Sequence, residues 1–204
     1  MKTSAELAFD SIVTDIFHKT LKPRGYKKKG NNFYIQNNGI GKIINLQKSK
    51  YNSKEYISFT INTGIFSPEY WNNYYNYSNK GIPDYPTEPE CILRRRIGEL
   101  LGTKDTWYEI SADSDIDELK AIQFYNLSRV ILPYFDKINS NDDILIELDK
   151  GRIAPTLKLF FLCVLNRFAE AQIEYNRLHN ETTNQTTLRY LIDLSKKYNL
   201  VQGS

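Results

Sequence analysis

The sequence has only two cysteines, Cys91 and Cys163, far apart and in no short motif. That fits neither a disulfide framework nor a zinc site, and it points to a reducing interior. Histidine is equally scarce. His18 and His179 stand near opposite ends of the 204 residues with no thiol or carboxylate at metal spacing, so no metal and no cofactor are expected. No stretch approaches the roughly 18 apolar residues that span a bilayer. The opening MKTSAELAFDS carries acids in a helical pattern where a secretory signal has a continuous apolar run. A cytoplasmic protein without membrane contact is the expectation.

Excess charge is missing too. Lys and Arg number 27 against 24 Asp and Glu, a net +3, too little to mark a nucleic-acid binder unless the cations cluster. Catalytic signatures are likewise absent. GIGK (39–42) lacks the Walker spacing and falls in a hairpin, and no Gly-x-Ser-x-Gly elbow occurs. Asp113, Asp115, Asp117 and Glu118 gather at a helix start, where the helix dipole accounts for them. These absences together weigh against an enzyme.

What is present reads as an ordered α+β chain. Thr3 and Glu6 form a capping box, and Phe9, Ile12, Val13, Ile16 and Leu21 trace a helical stripe that Pro23 and Gly25 end. From Tyr26 the period changes to two. NNFYIQ (31–36), GKIINLQKS (41–49) and EYISFTINTG (55–64) alternate as strands, separated by turn residues at hairpin spacing. Ile57, Phe59 and Ile61 point to one face of that sheet, and Tyr56, Ser58, Thr60 and Asn62 to the other. Residues 91–98 fit a strand better than a helix, with Arg94 and Arg96 on one side, and TWYEI (106–110) reads as a further short strand.

Beyond Asp115 the pattern is helical: 116–138 with a kink or break near Pro133, 142–151 closed by Gly151, 154–181 as one helix, and about 184–198. The expected fold is an N-terminal helix, an antiparallel sheet of about five or six strands, and an all-helical C-terminal third. Residues 1–138 would form the sheet domain, with 139–204 a helical extension packed on it.

The order of LKPRGYKKKGNNFY, INLQKSKYN and FTINTGIF resembles a bacterial family of unknown function catalogued as number 4304. The resemblance rests on Leu21, Lys22, Gly25, Tyr26, Lys27, Lys28 and Phe33, then Asn45 to Ser49, then Phe59, Ile61, Asn62 and Gly64. Arg94, Arg96, Ile97 and Trp107 agree less specifically. It spans about residues 8–135 and leaves the last helical third outside. The resemblance implies an α+β fold with one sheet and implies no reaction.

Three features carry candidate function. The segment SPEYWNNYYNYSNKGIPDYP (67–86) concentrates rings, and Ser67-Pro68-Glu69 starts a helix that sets Tyr70, Tyr74 and Tyr77 on one face, with Trp71 and Tyr75 on the next. Such rings either form a flap over the end of the sheet or a recognition surface. The row Asn45, Gln47, Ser49 with Ser58, Thr60 and Asn62 offers amides and hydroxyls on one sheet face. The run from Lys22 to Lys29 either guards an edge strand or grips phosphates.

A non-catalytic protein that recognises another protein is the resulting expectation. Its surface would comprise Asn45, Gln47, Ser49, Asn62, Tyr70, Trp71, Tyr74, Arg94 and Arg96. The alternative is an enzyme or small-anion binder with a cleft around Arg94, Arg96, Gln47 and Ser49.

Overall fold

The computed structural model describes residues 2–75, 81–150 and 155–201. The chain divides into two compact units, one comprising Met1–Pro68 and Lys80–Ser140, the other Glu69–Asn79 and Asn141–Ser204.

In the first unit, helix α1 runs through Ser4–Ser11, a π-wound stretch Ile12–His18, and Lys19–Leu21. Thr3 caps it, with Glu6 reaching back to the Thr3 N–H at 2.9 Å, and Gly25 ends its last tight turn at φ +87°. The π winding widens the turn to more than four residues. The buried stripe therefore runs Phe9, Val13, Phe17, Leu21 at intervals of four, bringing in Phe17 and leaving Ile16 only half-buried. A helical period of 3.6 had put Ile16 in that place.

The sheet is antiparallel with six strands: β1 (Lys27–Lys29), β2 (Asn32–Asn37), β3 (Ile40–Lys48), β4 (Ile57–Phe66), β5 (Leu93–Arg96) and β6 (Tyr108–Ile110), in the order β1-β2-β3-β4-β5, with β6 also pairing β4. Asn38 and Gly39, both at positive φ, make the two-residue β2–β3 turn. That conformation matches strand twist and favours an Asn-Gly pair. The apolar face carries Phe33, Ile44, Leu46, Phe59 and Ile61, all buried. Phe9 meets Phe59 edge-on at 5.2 Å, and Phe17 stacks on Phe33 at 6.1 Å.

Residues 91–98 divide between the two readings. The strand ends at Arg96 and Ile97–Leu101 forms a short helix, α2. Glu99 supplies the switch by accepting the Arg96 N–H at 3.2 Å, a capping contact that alternation alone does not reveal. Helix α3 runs continuously through Ile116–Tyr125, the π-wound Asn126–Ile131, and Leu132–Asp136. Its buried stripe Gln123, Leu127, Ile131 and Phe135 again recurs at four, with Asn126 buried beside it and Ile122 exposed. Pro133 is accommodated just after the π stretch, near where the hydrogen-bond ladder changes spacing.

Lys120 of α3 and Lys19 both pair with Asp15, at 2.9 and 2.8 Å. Hydrogen bonds from Lys19 and then Lys120 pull the Asp15 carboxyl down to about 2. Its contribution to stability is therefore present above the ordinary Asp range and is lost as pH falls through about 2. The Asp15 ¹³Cγ titration should show this low midpoint, and Lys120→Met should move it upward. An unchanged midpoint in the variant would refute the pairing.

In the second unit, α4 (Pro68–Tyr74, of which Pro68 belongs to the first unit), α5 (Asn141–Asp149), α6 (Pro155–Val164), α7 (Phe168–Glu181) and α8 (Gln185–Tyr198) are described. The single helix expected over 154–181 is broken between Val164 and Phe168. Asn166 adopts φ +58°, and the N–H groups of Asn166 and Arg167 fold back onto Cys163 and Leu162 carbonyls at 3.0 and 2.9 Å. Asn tolerates the left-handed conformation that ends a helix, which a hydrophobicity pattern does not register. Leu159 through Val164 are buried. Asn184 caps α8 through the Thr187 N–H at 3.0 Å. Tyr77, Asn76 and Asn79 of the aromatic segment and the proposed stop at Gly151 fall outside the described residues.

Candidate functional site

Strand register decides which polar residues meet. Asn32, Asn45, Asn62 and Arg96 are direct cross-strand partners on β2, β3, β4 and β5. A row of amides results, and a single backbone carbonyl sets its direction. Asn32 Nδ2 donates to Lys29 O at 3.3 Å, so Asn32 Oδ1 is left to accept from Asn45 Nδ2 at 2.7 Å. Asn45 Oδ1 then accepts from Asn62 Nδ2 at 3.1 Å, and Asn62 Nδ2 also donates to Gln47 Oε1 at 2.7 Å. Because a carbonyl can only accept, every amide in the chain is orientated by the first. The relay ends with the Gln47 amide N–H groups uncommitted among the described residues, on an exposed side chain.

At that end lies a cleft of about 230 Å³, lined by Gln47, Asn62, Glu88, Arg94, Arg95, Arg96 and Glu99. Its arginines come with acids. Arg94 forks onto Glu88 at 2.7 and 3.2 Å, Arg95 lies 3.5 Å from Glu99, and Arg96 donates to Asp105 at 2.7 Å. The Trp107 indole also donates to Asp105 at 3.0 Å, and its ring lies 5.6 Å from the Arg96 guanidinium. These contacts hold the Asp105 carboxyl below its ordinary range, the indole bond foremost. Three arginines thus face three carboxylates.

The rest of the amide-bearing face is not bare. Gly64 admits Cys91 against it, so closely that an added Cβ would lie 2.5 Å from the Cys91 sulfur. Tyr85 folds its ring to 5.5 Å from Tyr34 and donates to the carbonyls of Lys27 and Asn32. Tyr34 is buried, which pushes its hydroxyl up to about 12. Thr60 is also buried, bonded to Thr106 O at 2.7 Å. Ser49 is drawn into the β3–β4 loop, where its Oγ accepts the Tyr51 N–H at 3.1 Å, and it is not among the residues lining the cleft. Of the expected polar row, Asn45, Gln47 and Asn62 come together with Arg94 and Arg96.

In the second unit, the predicted helical spacing of the rings is present. Tyr70 stacks on Tyr74 at 5.1 Å and Trp71 on Tyr75 at 5.8 Å. Tyr70 and Tyr74 both set their rings against Phe160, at 6.1 and 6.3 Å. Tyr70 is 7% and Trp71 4% exposed, whereas Tyr74 is 52% exposed. The exposure that a recognition surface needs is thus present at Tyr74 and absent at Tyr70 and Trp71, whose area is spent on the fold. Tyr70→Ala and Trp71→Ala are stability variants, not surface variants.

Residues 17–137 match the family described as a domain of unknown function, DUF4304. The chain belongs to that family. The matched region takes in all six strands and the whole cleft, and the helices after residue 140 lie beyond it. No curated protein and no solved structure matches the chain.

Sequence reasoning missed Glu88, Glu99 and Asp105 as parts of the site. Glu99 had a readable signal, three residues after Arg96 in a capping pattern. Glu88 and Asp105 had none, since only the return of the chain over the sheet brings them to the arginines. Among the described residues no group of His, Cys, Asp and Glu could hold a metal, and no helix is long and apolar enough to cross a membrane.

Proposed function

We propose that this DUF4304 protein is a non-catalytic binding protein of the cytoplasm whose cleft at Gln47, Asn62, Arg94 and Arg96 receives polar groups of a polypeptide partner. The observation that carries this reading is the orientated amide relay, which ends on an open cleft with its donors preset. Preset donors lose little freedom on binding, and each new hydrogen bond adds about 1 kcal/mol net. At about 230 Å³ the cleft falls below the roughly 300–1,000 Å³ typical of small-molecule sites. That size suits a side chain or a turn of backbone.

Charge argues in the same direction. A free anion would have to compete with Glu88, Glu99 and Asp105 for arginines that already have carboxylates beside them, so the alternative of a small-anion binder gains little here. A neutral hydrogen-bonding group meets no such competition. The paired arginines then act as a rigid rim that fixes register more than it adds affinity.

The test uses a photo-crosslinking residue at position 49 of the full chain, two residues beyond Gln47 so that the amide relay stays intact, expressed in its own host. The expected result is an adduct with one polypeptide species that vanishes on Arg96→Glu and persists with Arg24→Ala. No adduct, or one indifferent to Arg96→Glu while the fold is retained, would refute the reading.

A further inference from the structure

The arginines of the cleft are compensated, and the cations at the other end of the sheet are not. Lys22, Arg24, Lys27, Lys28 and Lys29 form no ion pair among the described residues, and all five are exposed. Lysines on the edge strand β1 discourage pairing with other sheets, which accounts for Lys28 and Lys29. It does not account for Arg24, which precedes the strand in a tight turn and is held by a hydrogen bond to Thr20 O at 2.7 Å. Nor does it account for the space beside it.

Arg24 and Lys27 stand at a cavity of about 900 Å³ whose wall includes Gln36, Asn37, Ile82, Pro83 and Asp84. This volume lies in the range of small-molecule sites. The Tyr34 hydroxyl donates to Gln36 Oε1 at 2.9 Å, which leaves the Gln36 amide N–H groups as its uncommitted end. Two cations and an amide donor together match the oxygens of a phosphate, which carries about −1.5 to −2 at neutral pH. Ile82 and Pro83 supply an apolar wall, and the Asp84 carboxylate can accept from a hydroxyl or amino group. Arg24 and Lys27 against Asp84 leave this wall a net +1, which favours an anionic ligand over a neutral one.

We infer that the cavity between Arg24, Lys27 and the 82–84 segment binds a small phosphomonoester with a flat, partly apolar body, of nucleotide size. The site is separate from the Gln47 cleft and does not depend on the reading given for it.

Backbone amide NMR spectra of the full chain, titrated at low salt with adenosine 5′-monophosphate, inorganic phosphate and adenosine, test the assignment. The monophosphate is expected to give saturable shifts at Gly25, Lys27, Gln36 and Asn37 with a Kd of about 1 mM or tighter. Inorganic phosphate should bind about tenfold more weakly, and adenosine should leave the spectrum unchanged. The double substitution Arg24→Ala, Lys27→Ala should weaken monophosphate binding about tenfold or more, while Lys50→Ala leaves it within about twofold. The three substituted positions, Arg24, Lys27 and Lys50, are all exposed, and an otherwise unchanged spectrum confirms that the variants fold. Absence of saturable shifts with the monophosphate, or shifts indifferent to the double substitution, overturns the proposal. So does tight, steeply salt-dependent binding of a single-stranded oligonucleotide by a chain that ignores the monophosphate, since that marks a nucleic-acid surface.

Discussion

Phe59→Ala is expected to destabilise the first unit by about 3–5 kcal/mol, the largest effect of any single truncation considered. Phe59 is completely buried. Its ring meets Phe9 of α1 at 5.2 Å and its cross-strand neighbour Tyr108 at 5.5 Å, so it joins the helix to the sheet and β6 to β4. Removing it costs the transfer energy of the ring and leaves a cavity that two rigid elements cannot collapse. Phe59→Leu, which refills most of that volume, should cost much less, about 1–1.5 kcal/mol. Urea denaturation measures both. A loss under about 1 kcal/mol for Phe59→Ala would show that α1 does not rest on this face.

Gly98→Ala should cost about 3 kcal/mol, the upper end for adding a methyl group to a packed site. An added Cβ would lie 2.1 Å from the Lys104 carbonyl oxygen and 2.9 Å from Thr106 Oγ1. The oxygen belongs to backbone, and Thr103 and Thr106 both donate to it, so it has little room to move. Shifting it would disturb Asp105 and with it the Arg96 and Trp107 contacts. Gly98→Ala should therefore also collapse the Trp107 indole N–H signature by NMR, while Gly81→Ala, where nothing stands within 4 Å, should leave stability unchanged. Equal stability of the two variants would mean that the loop is not packed on α2 as described.

Much of the architecture was legible because it is local. The Thr3 and Glu6 cap, the Asn38-Gly39 turn and the alternation of Ile57, Phe59 and Ile61 each follow from the preferences of neighbouring residues. The misreadings share a cause. Ile16 was placed in the core by a 3.6-residue period, but π winding in α1 shifts the buried stripe to Phe17. The break at Asn166 depends on one residue adopting a left-handed conformation inside an apolar run. Neither is visible in hydrophobic spacing.

The candidate site divides the same way. Asn45, Gln47 and Asn62 could be assigned to one face from alternation alone, and so could Arg94 and Arg96 once 91–96 was taken as a strand. Which of them touch, and which acids stand beside the arginines, depended on strand register and on the return of residues 85–91 and 103–107 across the sheet. Alternation likewise said nothing of Cys91 closing over Gly64 on that face.

By itself, then, the sequence determined the element order, the antiparallel meander, the amide-bearing face and the family, because periodicity and turn chemistry act over a few residues. Only the tertiary structure decided that the arginines are neutralised, that Tyr70 and Trp71 are buried, and that the cations from Lys22 to Lys29 are left unpaired. Charge compensation and burial are sums over neighbours distant in the chain, and no local pattern encodes who those neighbours are.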